Sequence, residues 1–326
     1  MKRRFALRAL SGLSAAALLA TAPVHADNRP IRMLVGYPAG GSSDVIARHL
    51  AQGLQKELGR NVVVENRPGA GGQIAAQALK AARPDGTTLF MSNSHTVAMI
   101  PLTLREPGFD TAKDFVPVSL VAVNPDVFVL NTDVIGNPKA GLLEFAEWVK
   151  ANPGKGNVGV PAPASAPDFA VGVIGKALGA DLKSVPYRGD APIVQDVMAG
   201  QIPAAIGSVG AMLQPAKAGR LRIVAVNGTA RLPFLPDVPT YLELGIKGYE
   251  DVIFNGVFAP AGTPADLIDT YSAAIAKVVK SPEFAEKLAA LNIEPVFGTA
   301  SELNARLQAT HEAWSVMVKN AGYQPQ

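Results

Sequence analysis

The sequence predicts two α/β units joined by two crossing segments, with a helical C-terminal tail. Three observations lead there. Short apolar runs alternate with helical patterns through most of the chain. Two longer apolar segments, Val116–Leu130 and Val252–Ala259, flank the second stretch of alternation. Helix-start patterns then dominate the C-terminal block. Alternation of this kind predicts parallel sheets with helices on both faces. A chain that leaves one unit along one long segment and returns along the other forms a hinge, and a hinge between two lobes makes a cleft. On this reading one lobe spans 27–126 plus 254–326, and the other spans 127–253.

At the N-terminus, Lys2, Arg3, Arg4 and Arg8 precede the apolar run Leu10–Ala20, and Val24-His25-Ala26 supplies the site that a signal peptidase reads. The run is too short to span a bilayer comfortably, so residues 1–26 read as a secretory signal. Arg3-Arg4 lacks the rest of a twin-arginine motif, which leaves the general secretory route. Ile31–Val35 is the first strand. From Asp44, the residues Val45, Ile46, Leu50, Leu54 and Leu58 recur at near-helical spacing until Gly59. Val62–Val64 is a second strand, followed by a Gly-rich turn and a helix to about Ala82. Pro84-Asp85-Gly86 turns the chain into a third strand at Thr88–Met91.

After Leu130 the rhythm restarts, with helices at Gly141–Ala151 and Asp168–Leu178 around a strand at Asn157–Val160. Further strands fall at Lys183–Tyr187, Pro203–Ile206 and Arg222–Val226. Thr263-Pro264-Ala265-Asp266 opens the tail with a capping residue, proline at the first helical position and an acid. Ser281-Pro282-Glu283 and Thr299-Ala300-Ser301-Glu302 start two further helices similarly.

Composition narrows the function. The chain carries 30 Lys+Arg and 27 Asp+Glu, but residues 1–26 hold four of the basic residues and no acid. The remainder has 26 against 27, net −1. A nucleic-acid partner therefore loses its electrostatic support. There is no cysteine, which removes disulfides, thiol catalysis and cysteine-bound metals.

Tyr37-Pro38-Ala39-Gly40-Gly41-Ser42-Ser43-Asp44 joins the first strand to the first helix. Its glycines let the backbone approach a ligand, and the first N–H groups of a helix are open donors at a positive dipole end. The turn suits a carboxylate. It equally suits a well-capped helix with Ser43 or Asp44 as cap and no ligand. Sharper motifs fail. The turn has no lysine for a phosphate loop and no closing glycine for a nucleophile elbow. Gly69-Ala70-Gly71-Gly72-Gln73-Ile74 has isoleucine where a dinucleotide fingerprint needs its third glycine, and reads as a tight turn. After residue 26 the histidines are His49, His95 and His311, and only His95, beyond a strand end, is expected at a cleft. It has no carboxylate or metal-ligand companion in sequence. No catalytic constellation, cofactor or metal is expected.

Over essentially its whole mature length the chain resembles the substrate-binding receptors of tripartite tricarboxylate transporters, the Bug family. The residues that carry this are Pro30-Ile31-Arg32, Tyr37–Asp44, Val62–Gly72, Pro84-Asp85-Gly86, Lys113–Leu120, Ala151–Lys155, Val185–Gly189, Leu235–Thr240 and Phe258–Pro264. The resemblance implies a monomeric, type II-like periplasmic binding protein that closes on a small organic acid and docks on a membrane permease. A sensor kinase is the alternative partner. One carboxylate is expected against the first lobe, at Tyr37, Gly40, Gly41, Ser42 and Ser43, with Ser94, His95 and Thr96 adjoining. The second lobe is expected to contribute Ser165, Ala166, Tyr187, Arg188, Gly189, Ser208 and Val209.

The second lobe departs from the family pattern. Its loop Pro161–Asp168 keeps fewer hydroxyl and amide groups, and Gly207-Ser208-Val209-Gly210 lacks the acid that many members carry there. The expected ligand is therefore a carboxylate with an apolar or neutral far end. Arg188 either reaches a second carboxylate or forms a salt bridge at the rim.

Overall fold

The structure, a computed structural model, describes residues 29–289 and 292–326, so the secretory segment read in residues 1–26 lies outside it. β1 (Ile31–Val35) is buried along almost its whole length. α1 (Ser42–Leu58) lays Ile46, Leu50 and Leu54 inward and stops at Gly59, which adopts the left-handed conformation (φ 62°). β2 (Val62–Asn66), α2 (Gln73–Lys80) and β3 (Thr88–Asn93) follow, and β1 pairs in parallel with both other strands. The short α3 (Ile100–Thr103) and α4 (Thr111–Asp114) lead into β4 (Phe115–Asn124).

Pro125 separates β4 from β5 (Asp126–Leu130), and there the chain changes sheets. The second lobe continues with α5 (Thr132–Ile135), α6 (Leu142–Ala151), β6 (Asn157–Val160) and α7 (Ala166–Leu178). It ends with β7 (Lys183–Pro186), α8 (Asp190–Met198), β8 (Ala204–Ser208), α9 (Val209–Lys217) and β9 (Arg222–Val226). Its strand order is β7-β6-β8-β5-β9. The chain returns to the first sheet as β10 (Ile253–Pro260), then α10 (Ala265–Val279), α11 (Pro282–Ala289), β11 (Glu294–Gly298) and α12 (Ala300–Asn320). The first sheet has the order β11-β4-β10-β3-β1-β2.

This is the two-lobed α/β architecture expected, with three differences. The sheets are mixed rather than parallel: β10 runs antiparallel to β3 and β4, and β5 antiparallel to β8 and β9. The crossing strands enter each sheet from the other lobe, opposite in direction to the strands of the βα units. The tail also supplies a strand, since β11 pairs antiparallel with β4 at the sheet edge. Helix starts shift as well. α7 begins at Ala166 because Ser165 caps it, accepting from the Asp168 N–H at 3.4 Å. Pro264 stays just outside α10, and Thr263 donates to the Pro260 carbonyl at 2.7 Å instead of capping.

The two crossings are tied to each other. The Asp126 N–H donates to Asn227 Oδ1 (2.8 Å), the Asn227 N–H to the Asp126 carbonyl (3.0 Å), and Asn227 Nδ2 to the Asp251 carbonyl (3.1 Å). α12 packs on β4 and reaches α7. Its Arg306 donates to the Val252 carbonyl at 2.8 Å and pairs with Asp251 at 3.1 Å. Beyond α12, Tyr323 meets Phe169 of α7 edge-on, with ring centroids 5.3 Å apart. The C-terminal segment is thus a third link between the lobes.

Candidate ligand-binding cleft

In open α/β sheets, ligands bind beyond the carboxyl ends of the parallel strands, where helix N-termini gather. Here β1 feeds α1, while β6, β7 and β8 feed α7, α8 and α9. These ends face one another across a cavity of about 530 Å³ that reaches both lobes. A further space of about 590 Å³ continues past Gly40 and Val209. A larger groove of about 720 Å³ lies on the first lobe alone, beside Phe109, Phe115 and Leu307, and touches none of the expected ligand contacts.

The first-lobe wall is built on the start of α1. Gly41 occupies the capping position in extended conformation and brings no side-chain cap. The N–H groups of Ser42, Ser43 and Asp44 find no acceptor among the described residues. They are open donors at the positive end of a helix dipole. Asp44 is structural. Its carboxylate accepts from the Gly40 N–H (2.8 Å), Asn66 Nδ2 (2.8 Å) and Arg48 Nε (2.9 Å). Burial pushes its pKa up, but these hydrogen bonds outweigh that and hold it below the usual carboxylate value.

Tyr37 lines the cavity, but its hydroxyl is already engaged, within 3.1 Å of Gly71 O, Asn93 Oδ1 and Thr96 Oγ1. Thr96 is buried and donates to the Gly71 carbonyl at 2.7 Å. A Cβ on Gly72 (φ 99°) would collide with the Thr96 side chain, so the glycine run is a tight turn packed under the wall. Ser94 is buried too and accepts from the Phe254 N–H at 3.4 Å. Ser94 and Thr96 therefore stand behind the wall rather than on it. His95 does reach the cavity, and burial lowers its pKa to about 4, which leaves the imidazole neutral near pH 7. Its ring has no hydrogen-bond partner among the described residues.

The floor comes from residues that sequence reasoning missed. Asn93 and Asn124 end β3 and β4, Asn255 lies near the start of β10, and all three line the cavity. Asn255 stands opposite Asn93 in the antiparallel register, donates to Asn124 Oδ1 at 3.3 Å and accepts from Ser43 Oγ at 3.4 Å. Only the pairing of strands distant in sequence brings them together. Trp314 of α12 adds an apolar wall.

On the second lobe, Ser165, Ala166, Arg188, Gly189 and Ser208 all line the cavity. The Ser165 hydroxyl is committed to the α7 cap and donates to the Ala162 carbonyl at 2.7 Å. Tyr187 lies outside the cavity, its hydroxyl donating to Asp196 at 2.7 Å; burial and that carboxylate push its pKa up to about 12. Val209 has its side chain in the core and its N–H on the Pro125 carbonyl at 3.0 Å, so it borders only the adjoining space. Arg188 is exposed and makes no ion pair with any described residue, so of its two alternatives the rim salt bridge is not formed among them.

Acidic side chains do stand at the second-lobe end of the cavity. The strand-end loop has no acid of its own, but Asp190 fills the place. Its Oδ2 accepts from Ser208 Oγ at 2.6 Å, and a Cβ on Gly207 would come within 2.6 Å of its Oδ1. Asp126, only 2% exposed, lines the same cavity. Burial raises the pKa of Asp126 to about 7; the charge of Asp190 adds to this, and the Tyr249 hydroxyl, donating at 2.9 Å, opposes it. Burial raises Asp190 as well, against the hydrogen bonds from Ser208. A lone acid inside an apolar run was the sequence signal for Asp126. Asp190 is the first residue of a helix, and no local pattern shows where its carboxylate points.

Two α/β lobes enclosing a cleft lined by helix N-termini define a solute-binding receptor of the periplasmic class. Residues 46–323 match the profile of the tripartite tricarboxylate transporter family receptor, and the chain belongs to that family. Its members are solute-binding receptors rather than enzymes. Protein BugT of Bordetella pertussis is 33% identical over 323 residues, covering 97% of each chain. The solved structure of the periplasmic binding protein BugD shares 31% identity at a TM-score of 0.77, covering 91% of this chain and 99% of that one. Rpa4515 of R. palustris, solved with adipate, shares 28% identity at a TM-score of 0.82, with coverage of 92% and 99%. Among the described residues no helix is long and apolar enough to cross a membrane, and no group of side chains is placed to hold a metal.

Proposed function

We propose that this protein captures a small organic carboxylate between its lobes in the periplasm and delivers it to the membrane permease of a tripartite-type secondary transporter. The observation that carries this is the set of open N–H groups at Ser42, Ser43 and Asp44 in the first turn of α1, whose residues Ser42 and Ser43 line the interlobe cavity. A carboxylate seated there accepts charge-assisted hydrogen bonds at the favourable end of the α1 dipole. Ser43, Asn255 and the neutral His95 extend the polar surface around it. Family membership and the adipate held by Rpa4515 support the same ligand class.

In this reading residues 1–26 direct export and are removed. Lobes at 27–126 with 254–326, and at 127–253, close as a monomer about the tied crossings, and the closed face is what the permease engages. A thermal-shift screen of mono-, di- and tricarboxylates and aromatic acids tests it. A ligand at a hundred times its Kd stabilises the native state by about 2.7 kcal/mol, so at least one acid is expected to raise the Tm by several degrees. A blank across the whole set overturns the proposal.

A further inference from the structure

Asp126 and Asp190 reach the cavity from different elements, the first residue of β5 and the first residue of α8. Neither forms an ion pair with a described lysine, arginine or histidine, although Arg188 stands on the same cavity wall. Asp126 Oδ2 accepts from Tyr249, whereas its Oδ1 accepts from no described residue and is left to the cavity. Among the described residues Asp190 has only Ser208 as donor. Tyr241, whose buried hydroxyl has no partner among the described residues, and Tyr249 also stand near Asp126, and neither brings positive charge.

Two neighbouring carboxyl groups, Asp126 buried and Asp190 half-buried, are costly without a counter-ion, and a ligand cation relieves both at once. A hydroxyl donates to one oxygen and leaves the negative charge unmatched. A second carboxylate adds repulsion. We propose that Asp126 and Asp190 form a recognition subsite for a protonated nitrogen, so that the captured solute is a zwitterion spanning the cleft. Its carboxylate sits at the start of α1 and its ammonium group lies against the two aspartates. This rests on the carboxylate reading of the first lobe and adds the chemistry of the opposite end.

The test is calorimetric titration of the mature protein at neutral pH with matched acids. Aspartate is compared with malate and succinate, glutamate with 2-hydroxyglutarate and glutarate, and 4-aminobutyrate with 4-hydroxybutyrate and butyrate. At least one amino member is expected to bind about tenfold or more tighter than both its hydroxy and its des-amino partners, the scale of a charge-assisted bond. Asp190→Asn is expected to narrow that gap about tenfold while the des-amino acid binds at least as well as before. Should Asp190→Asn fail to fold, Asp126→Asn gives the second reading, and the wild-type comparison already decides. If in every set a hydroxy or des-amino acid binds as tightly as its amino partner, the zwitterion subsite is overturned and the carboxylate site is left standing. Selectivity unchanged in both variants overturns it as well. Silence from every acid, here and in the wider carboxylate screen, instead overturns the carboxylate reading on which it rests.

Discussion

At Asp126 the fold buries a carboxyl group beside a second one at Asp190, with a tyrosine hydroxyl as its side-chain donor. An unfolded aspartate titrates near pH 4. In the fold Asp126 titrates at about 7. The folded state therefore holds its proton longer, so this group's contribution to stability is full below about pH 4 and is lost as the pH rises through about 7. Asp126→Asn keeps an acceptor for Tyr249 and abolishes the titration. It is expected to stabilise the ligand-free protein at about pH 8 by roughly 1–4 kcal/mol and to change little near pH 4. Urea unfolding at the two pH values measures this, and equal effects at both would contradict it. Asp44 shows the opposite outcome for the same residue type, because three donors surround it and hold it ionised.

On the proposed reading, the element that meets the ligand on the first lobe is the first turn of α1, and the open donors it offers belong to the backbone. That makes a backbone substitution the informative one. Proline suits the first helical position, and the preceding Gly41 is already extended (φ −74°, ψ 163°), so Ser42→Pro fits without unwinding the helix. It deletes one open N–H. Carboxylate affinity is expected to fall about tenfold with little change in Tm. Ser42→Ala, which keeps the N–H, should lose less; calorimetry on the two variants separates the donor from the hydroxyl. The start of α7 behaves differently, since Ser165 already caps it and Pro167 has no N–H to offer. The helix starts that face each other across the cleft are therefore not equivalent.

At the scale of the whole molecule, the lobes are joined by two crossings that hydrogen-bond to each other through Asn227, and by a C-terminal segment that grips both sides. Gln326 exchanges backbone hydrogen bonds with Thr103 and Arg105 of the first lobe, while Tyr323 rests on Phe169 of the second. Tyr323→Ala removes that edge-on contact, worth about 0.5–1.5 kcal/mol beyond its buried area. It is expected to widen the ligand-free molecule, read as a larger radius of gyration by small-angle scattering, and to weaken ligand affinity severalfold. An unchanged radius and affinity would show that the two crossings alone set the lobe geometry.

Features that depend on local pattern were readable from residue order alone. Apolar spacing from Val45 to Leu58, the glycine stop at Gly59 and the capping pattern at Thr299 each act within a few residues, and each gives the element expected. The Tyr37–Asp44 turn was legible as an anion-friendly helix start for the same reason. Motifs in order along the chain sufficed for the family. The rest follows from how distant segments pack. Strand direction at the crossings follows from the side by which β5 and β10 enter their sheets. The asparagine floor exists because β3, β4 and β10 pair. Ser94, Thr96 and Tyr187 looked like ligand contacts beside strand ends, but packing turned them onto Phe254, Gly71 and Asp196. The acid sought at Gly207–Gly210 arrives from Asp190 across the turn into α8, with Asp126 from the hinge beside it. Where a carboxylate points, and what shares its dielectric, is set by contacts between distant segments, which residue order along the chain does not encode locally.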